Sequence, residues 1–185
     1  MARAATAAGE RLRAVRLLVL DVDGVLTDGR IVVDDDGRES KFFHVHDGSA
    51  VWLLRRVGIE TAIISGRTAR CVLHRAKDLA IEEVHQGELD KLVALDRVLA
   101  RYGLGAHQVC FMGDDILDVP VLARVGYPAA PANARPEAKA AALHVTEASG
   151  GHGAVRELAE HILRGQGLWT TLLRERYGIE ETPSP

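Results

Sequence analysis

Cysteine is scarce. Cys71 and Cys110 are the only two in 185 residues and form no C-x-x-C pair, which argues against a thiolate metal knuckle and against a disulfide-stapled scaffold. Cys110 lies in an apolar run and Cys71 in a helical pattern, so both read as packed thiols. Aromatics make up 4% of the chain, and the 23 Lys and Arg fall below the 26 Asp and Glu, for a net charge of -3. Neither a stacking platform nor a basic footprint for nucleic acid is present. No apolar run approaches the length of a membrane span. The stretch from Met1 to Arg16 is rich in Ala and Arg, but it lacks the apolar core of about 7–15 residues that a secretory signal needs. Residues 1–14 are therefore expected to be a flexible, solvated extension and the protein cytoplasmic. Repeats, low-complexity blocks and internal linkers are missing as well.

What the chain does have is 47% apolar residues, enough for one domain with a real core. Strand-like runs recur at Leu17–Leu20, Ile59–Ser65, Glu83–His85, Gln108–Met112, Tyr127–Ala130 and His144–Thr146. Helical patterns lie between and after them: Ser49–Val57, Arg67–Leu79, Lys91–Tyr102, Ile116–Val125, Pro136–Ala141 and Gly153–Gly165. This alternation predicts an α/β fold, a Rossmann-like, doubly wound parallel sheet with helices on both faces, over residues 15–166. A helical tail follows over 167–185, loose near Pro183 and Pro185. One segment breaks the rhythm. Arg30–Val33 and Ser40–Phe43 flank Asp34-Asp35-Asp36-Gly37, which predicts a β-hairpin over 29–43, projecting after the first strand. The triple Asp reads as its solvated turn, because a calcium loop needs alternating ligands and a distant Glu.

Polar residues gather where these strands end. Leu17–Leu20 runs into Asp21-Val22-Asp23-Gly24. Residues two apart in extended chain share a face, and open α/β sheets do their chemistry at the carboxyl ends of strands. Asp-Gly is also a common turn dipeptide, so the pair is ambiguous taken alone. Ser65-Gly66-Arg67-Thr68 follows the next buried strand and offers a hydroxyl and free backbone N–H groups to a phosphate, or simply a serine cap. Lys91 opens a helix, where the macrodipole disfavours a cation unless an anion lies within reach. Val109–Met112 then runs into Gly113-Asp114-Asp115-Ile116-Leu117-Asp118. Three acids in five residues repel unless a cation sits among them or some are solvated, and hard oxygen ligands suit Mg²⁺. Asp115 fits a helix cap as well, and Asp118 carries either reading.

The order carboxylate pair, hydroxyl, lysine, acidic cluster resembles the haloacid dehalogenase (HAD) superfamily of phosphatases. That resemblance implies phosphoryl transfer with Asp21 as nucleophile, Asp23 as acid and base, and Ser65 and Lys91 steadying the transferring group. It implies Mg²⁺ held by Asp21, Asp114 and the backbone carbonyl of Asp23. Only the hairpin and one helix separate Asp21 from Ser65, so the cap domain many relatives insert there has no room.

Within that superfamily, Asp21–Ile31, Phe43–Gly48, Ile64–Arg67, Gln86-Gly87-x-x-Asp90-Lys91, Gly113–Asp115 and Gly150–Glu157 resemble the 3-deoxy-D-manno-octulosonate 8-phosphate (KDO 8-phosphate) phosphatases. The closer resemblance implies a small-molecule substrate, a phosphorylated keto-sugar acid. It also implies a homotetramer built through the hairpins, each site covered by a neighbour, and substrate contacts at Gly66, Arg67, Arg75 and Asp47. The chain departs from that family's pattern at His44 and His46, where Asn-Val-Arg-Asp-Gly is usual, and at His152, where Gly-Gly-Arg-Gly is frequent. The loss of those arginines keeps nonulosonate 9-phosphates open as substrates. A phosphatase-like scaffold that binds without turnover is the remaining alternative, although the expected catalytic positions are all filled.

Overall fold

The computed structural model describes residues 2–180. Its elements in chain order are α1 (Ala2–Ala14), β1 (Leu17–Leu20), β2 (Val32–Val33), β3 (Glu39–Ser40), α2 (Val45–Arg56), β4 (Glu60–Ser65), α3 (Arg70–Asp78), β5 (Glu83–Gln86), α4 (Lys91–Tyr102), β6 (Val109–Met112), α5 (Val119–Arg124), β7 (Tyr127–Ala130), α6 (Pro136–Ala141), β8 (His144–Val145), α7 (Ala154–Gly165) and α8 (Trp169–Tyr177). Six strands form one parallel sheet in the order β5-β4-β1-β6-β7-β8. From β1 the chain builds outward through β4 to β5, then returns to the other side of β1 and builds through β6 and β7 to β8. The crevice between the carboxyl ends of β1 and β6 is thus the topological switch point, where open α/β sheets place their ligands.

Period-two alternation divides the core even though β1 is buried throughout. Leu18 and Leu20 pack with α2, α3 and α7 on one face. Leu17 and Val19 pack with α4, α5 and α6 on the other. Central strands covered on both faces carry apolar residues at every position for this reason.

Several boundaries differ from the pattern reading. Helix α2 starts at Val45 rather than Ser49 and takes Gly48 into its first turns, where a Cβ would lie 2.3 Å from Arg75 Nη2. Helix α3 starts at Arg70, so residues 66–69 remain loop. The expected helix from Ile116 is split. A 3₁₀ turn capped by Asp115 covers Ile116–Asp118, and α5 follows with Pro120 in its first turn. The small antiparallel sheet pairs Val32 with Ser40 and Val33 with Glu39, two residues per strand. Residues 2–14, expected as a solvated extension, form a helix whose end is docked. Leu12 is buried, Arg11 Nε donates to the Gly126 carbonyl at 2.5 Å, and Gln166 Nε2 donates to the Leu12 carbonyl at 3.1 Å. The tail expected from 167 begins with α8, which buries Trp169 and Leu172. The loose end expected at Pro183 and Pro185 lies outside the described residues. No helix among the described residues is long and apolar enough to cross a membrane.

Candidate active site

The carboxyl ends of β1, β4 and β6 and the start of α4 surround one cavity of about 340 Å³, lined by Asp21, Asp23, Ser65, Gly66, Arg67, Lys91, Asp114 and Asp115, with Leu89 and Leu117 at its rim. Asp21 continues β1, its amide donating to the Met112 carbonyl at 3.1 Å. The chain then leaves the sheet through a wide turn in which Gly24 adopts φ +88°. This position needs glycine twice over. Its φ is left-handed, and a Cβ there would meet Asp114 Oδ2 at 2.0 Å.

Lys91 is almost wholly buried. Its Nζ donates to Asp118 Oδ1 at 2.6 Å and lies 3.0 Å from Asp21 Oδ1, outside hydrogen-bond geometry. Burial opposes the Lys91 charge, but the carboxylates of Asp21 and Asp118 outweigh it and hold its pKa above the ordinary value. The lysine that looked misplaced at a helix start has found its anions. Asp118 is fully buried, and its Oδ2 accepts from the amides of Asp114 and Asp115 at 2.8 and 3.1 Å. It therefore ties the Gly113–Asp118 loop to Lys91. Asp115 caps the Ile116 amide.

Asp21, Asp114 and Asp118 each offer an oxygen within 4.8 Å of the others. Burial pushes the Asp21 carboxyl up to about 7, with Lys91 opposing and Asp118 adding to the rise. Burial, then Asp21, Asp118 and Asp115, push Asp114 to about 7 as well. Asp21 Oδ1 is buried without a hydrogen-bond partner. Crowded hard oxygens, one of them orphaned, fit a small divalent cation such as Mg²⁺. Since Asp118 already spends both oxygens on Lys91 and two amides, Asp21 and Asp114 are the side chains left to hold it.

The Asp23 carboxylate turns from this cluster toward the hairpin. Lys41 Nζ donates to Asp23 Oδ1 at 2.5 Å and lies 2.7 Å from Glu39 Oε1. Arg67 Nη2 donates to Glu39 Oε2 at 2.9 Å, and its Nε lies 3.7 Å from Asp23 Oδ2. Ser65 is buried at the end of β4, its Oγ accepting from the Arg67 amide at 3.4 Å.

Two expected substrate contacts fall elsewhere. Asp47 does not line the cavity. It is buried in the first turn of α2 and its Oδ1 accepts from the Arg156 amide at 2.9 Å, so it caps the N-terminus of α7. Burial raises its pKa against the pull of those amides. Nor does Arg75 line the cavity, since its guanidinium lies against Gly48 and 5.7 Å over the Phe43 ring. Pattern reading missed Glu39, Lys41 and Asn133. Asn133 Nδ2 donates to the Gly24 carbonyl at 2.9 Å, and its Oδ1 accepts from the Gly150 amide at 2.6 Å. A Cβ on Gly150 would overlap the Gly24 carbonyl and one on Gly151 the Thr27–Asp28 backbone, so this glycine pair lets its loop close on the turn that follows β1.

Two carboxylates two positions apart, a buried lysine and a cluster of acidic oxygens around one cavity at the switch point mark the class of HAD-like phosphohydrolases. Residues 80–158 match the family model of haloacid dehalogenase-like hydrolases. The chain is 43% identical over 157 residues to the 3-deoxy-D-manno-octulosonate 8-phosphate phosphatase KdsC of Yersinia pestis, covering 85% of this chain and 84% of that one. A probable YrbI family phosphatase from Pseudomonas syringae superposes with a TM-score of 0.89 at 45% identity, covering 95% of this chain and 99% of the other. The Moraxella catarrhalis 3-deoxy-D-manno-octulosonate 8-phosphate phosphatase, solved with magnesium, phosphate and KDO, gives 0.88 at 34% identity, covering 91% and 97%. The chain belongs to the 3-deoxy-D-manno-octulosonate 8-phosphate phosphatase family.

Proposed function

We propose that this protein hydrolyses KDO 8-phosphate to KDO and inorganic phosphate with Mg²⁺ as cofactor. The observation that carries this reading is the convergence of Asp21, Asp23, Ser65 and Lys91 on one cavity whose acidic side fits a divalent cation. An Asp21 oxygen attacks phosphorus while the bond to the C8 oxygen of the sugar breaks. Asp23 gives its proton to the departing alkoxide, so sugar alcohol and aspartyl-phosphate form together. Water then passes a proton back to Asp23 and attacks phosphorus, the Asp21–phosphorus bond breaks, and phosphate leaves. A bound Mg²⁺, held by Asp21, Asp114 and the Asp23 carbonyl, would neutralise charge on the transferring group. Lys91, Ser65 Oγ and the Gly66 amide supply donors already in place, so little reorganisation accompanies charge development. Arg67, at the cavity mouth, is suited to fork onto the substrate carboxylate.

Residues 15–166 form the catalytic unit in this reading and 167–185 its tail. We place the working form as a homotetramer joined through the hairpins, supported by their exposed apolar residues, and in the cytoplasm, in keeping with the free thiols of Cys71 and Cys110. The test is phosphate release from KDO 8-phosphate beside the 9-phosphates of KDN and N-acetylneuraminate, with Mg²⁺ and with EDTA. Mg²⁺-dependent preference for the eight-carbon ester, abolished by Asp21→Asn, is expected. Preference for a nine-carbon ester would move the assignment to nonulosonates and make His44, His46 and His152 the residues to exchange.

A further inference from the structure

The hairpin does more than present an apolar surface. Glu39 and Lys41 lie on either side of Ser40, and residues two apart along extended chain face the same way. Both reach back to residues that line the cavity of their own chain, Lys41 to Asp23 and Glu39 to Arg67. The Lys41 side chain is 1% exposed and makes its contacts with Asp23 Oδ1 and Glu39 Oε1. A buried ammonium is retained only where anions compensate its lost hydration, so Lys41 is committed to this pair. Glu39 is anchored on its other side by Arg67. The result is a chain of charges, Arg67–Glu39–Lys41–Asp23, ending on the residue that must handle the proton. Its effect on Asp23 is asymmetric. Oδ1 is occupied by Lys41 at hydrogen-bond distance, whereas Oδ2 has no hydrogen-bond partner, only Arg67 Nε at 3.7 Å, and its residue lines the cavity.

We infer that Lys41 is a positioning residue that ties down one oxygen of Asp23 and leaves Oδ2 as the oxygen exchanging protons with the leaving group and the attacking water. The inference rests on the aspartyl-phosphate chemistry proposed above. It assigns to the hairpin of each chain a role in that chain's own proton transfer, separate from any contact with a neighbour.

The readout is the dependence of kcat/KM on the leaving group, since kcat/KM covers the steps through departure of the alcohol and excludes the water attack that all esters share. An alkoxide or phenoxide needs the Asp23 proton as it departs, while 4-nitrophenoxide leaves largely without it. Lys41→Met is expected to slow phenyl phosphate and the sugar-acid phosphate at least tenfold more than 4-nitrophenyl phosphate. Asp23→Asn should give the same pattern, and Lys41→Arg, which keeps a cationic donor, should restore most of the phenyl phosphate rate. The nitrophenyl rate also reports that each variant is folded. Equal slowing of all esters by Lys41→Met, or none, overturns the inference. Because the comparison of phenyl with nitrophenyl phosphate does not involve the sugar, it stays decisive if wild-type protein refuses KDO 8-phosphate, an outcome that overturns the proposed substrate alone.

Discussion

Position 24 shows how a single missing carbon builds the site. Gly24 and Gly37 both adopt a left-handed backbone, φ +88° and +76°, but a Cβ at 24 would overlap Asp114 whereas at 37 nothing lies within 4 Å. An L-residue in this conformation costs about 1–2 kcal/mol. Gly24→Ala and Gly37→Ala should therefore both lose stability in urea unfolding, Gly24→Ala the more for its overlap with Asp114. Only Gly24→Ala should also push Asp114 out of the acidic cluster, weakening Mg²⁺ binding more than tenfold by calorimetry. Similar Mg²⁺ affinity in the two variants would show that Asp114 is not held in place by the absent side chain. Asp21, Asp23, Ser65, Lys91 and Asp114 are legible in sequence because each stands at a strand end or a helix start in a local pattern. Lys41 and Asn133 are not, because their partners Asp23 and Gly24 lie 18 and 109 positions away. A lone lysine and a lone asparagine carry no spacing that says what they will meet. Asp47 and Arg75 lie outside the cavity of the single chain. They entered through family resemblance, and here packing uses one as a helix cap and the other as a stacked cation.

Elements were legible where both faces are buried and blurred where capping decides. Lys91–Tyr102 begins and ends as its apolar period predicts, closed by Gly103 in a left-handed conformation. The start of α3 could not be read, because Gln86 Oε1 takes the Ala69 amide at 2.8 Å and holds the preceding residues in a loop. At the far edge of the sheet, β8 meets α7 through two histidines. The rings of His144 and His161 stack at 4.2 Å, and Tyr127 Oη lies 2.8 Å from His161 Nε2. Burial lowers the pKa of each, His161 lowers that of His144 further, and Glu157 opposes both shifts. Each is harder to protonate in the fold than in the unfolded chain. Stability is whole above the unfolded pKa of about 6.5 and is lost progressively as pH falls from there toward the lowered folded pKa. Hydrogen exchange should show β8 and the facing part of α7 opening more readily at pH 5.5 than at pH 7.5, and His161→Phe should flatten that difference. An unchanged pH response in the variant would place the sensitivity elsewhere, the Glu157 cap on the amides of Glu147 and Ala148 being the next group to test.

At the scale of the whole molecule, the hairpin leaves apolar surface uncovered in the single chain. Strands of two residues cannot sustain a sheet in water, since isolated ribbons are marginal even when longer. Ile31, Val32, Val33 and Phe42 are all exposed, Phe42 at 72%. Edge strands left apolar and unpaired invite another strand, and a closed symmetric assembly uses up such edges without running on into fibres. The same hairpin carries Glu39 and Lys41, so whatever holds β2 and β3 together also holds the tether on Asp23. Assembly and catalysis should then fall together. Val33→Lys combined with Phe42→Lys adds like charges to the proposed seam and leaves the parallel sheet untouched. The expected result in sedimentation velocity is a shift from tetramer to monomer with unchanged circular dichroism. The kcat/KM for phenyl phosphate should fall more than that for 4-nitrophenyl phosphate, as for Lys41→Met. A wild-type chain that sediments as a monomer at micromolar concentration would refute the tetramer. A monomeric double variant with an undiminished phenyl phosphate rate would mean that the ion pairs of Lys41 and Arg67 order the hairpin unaided.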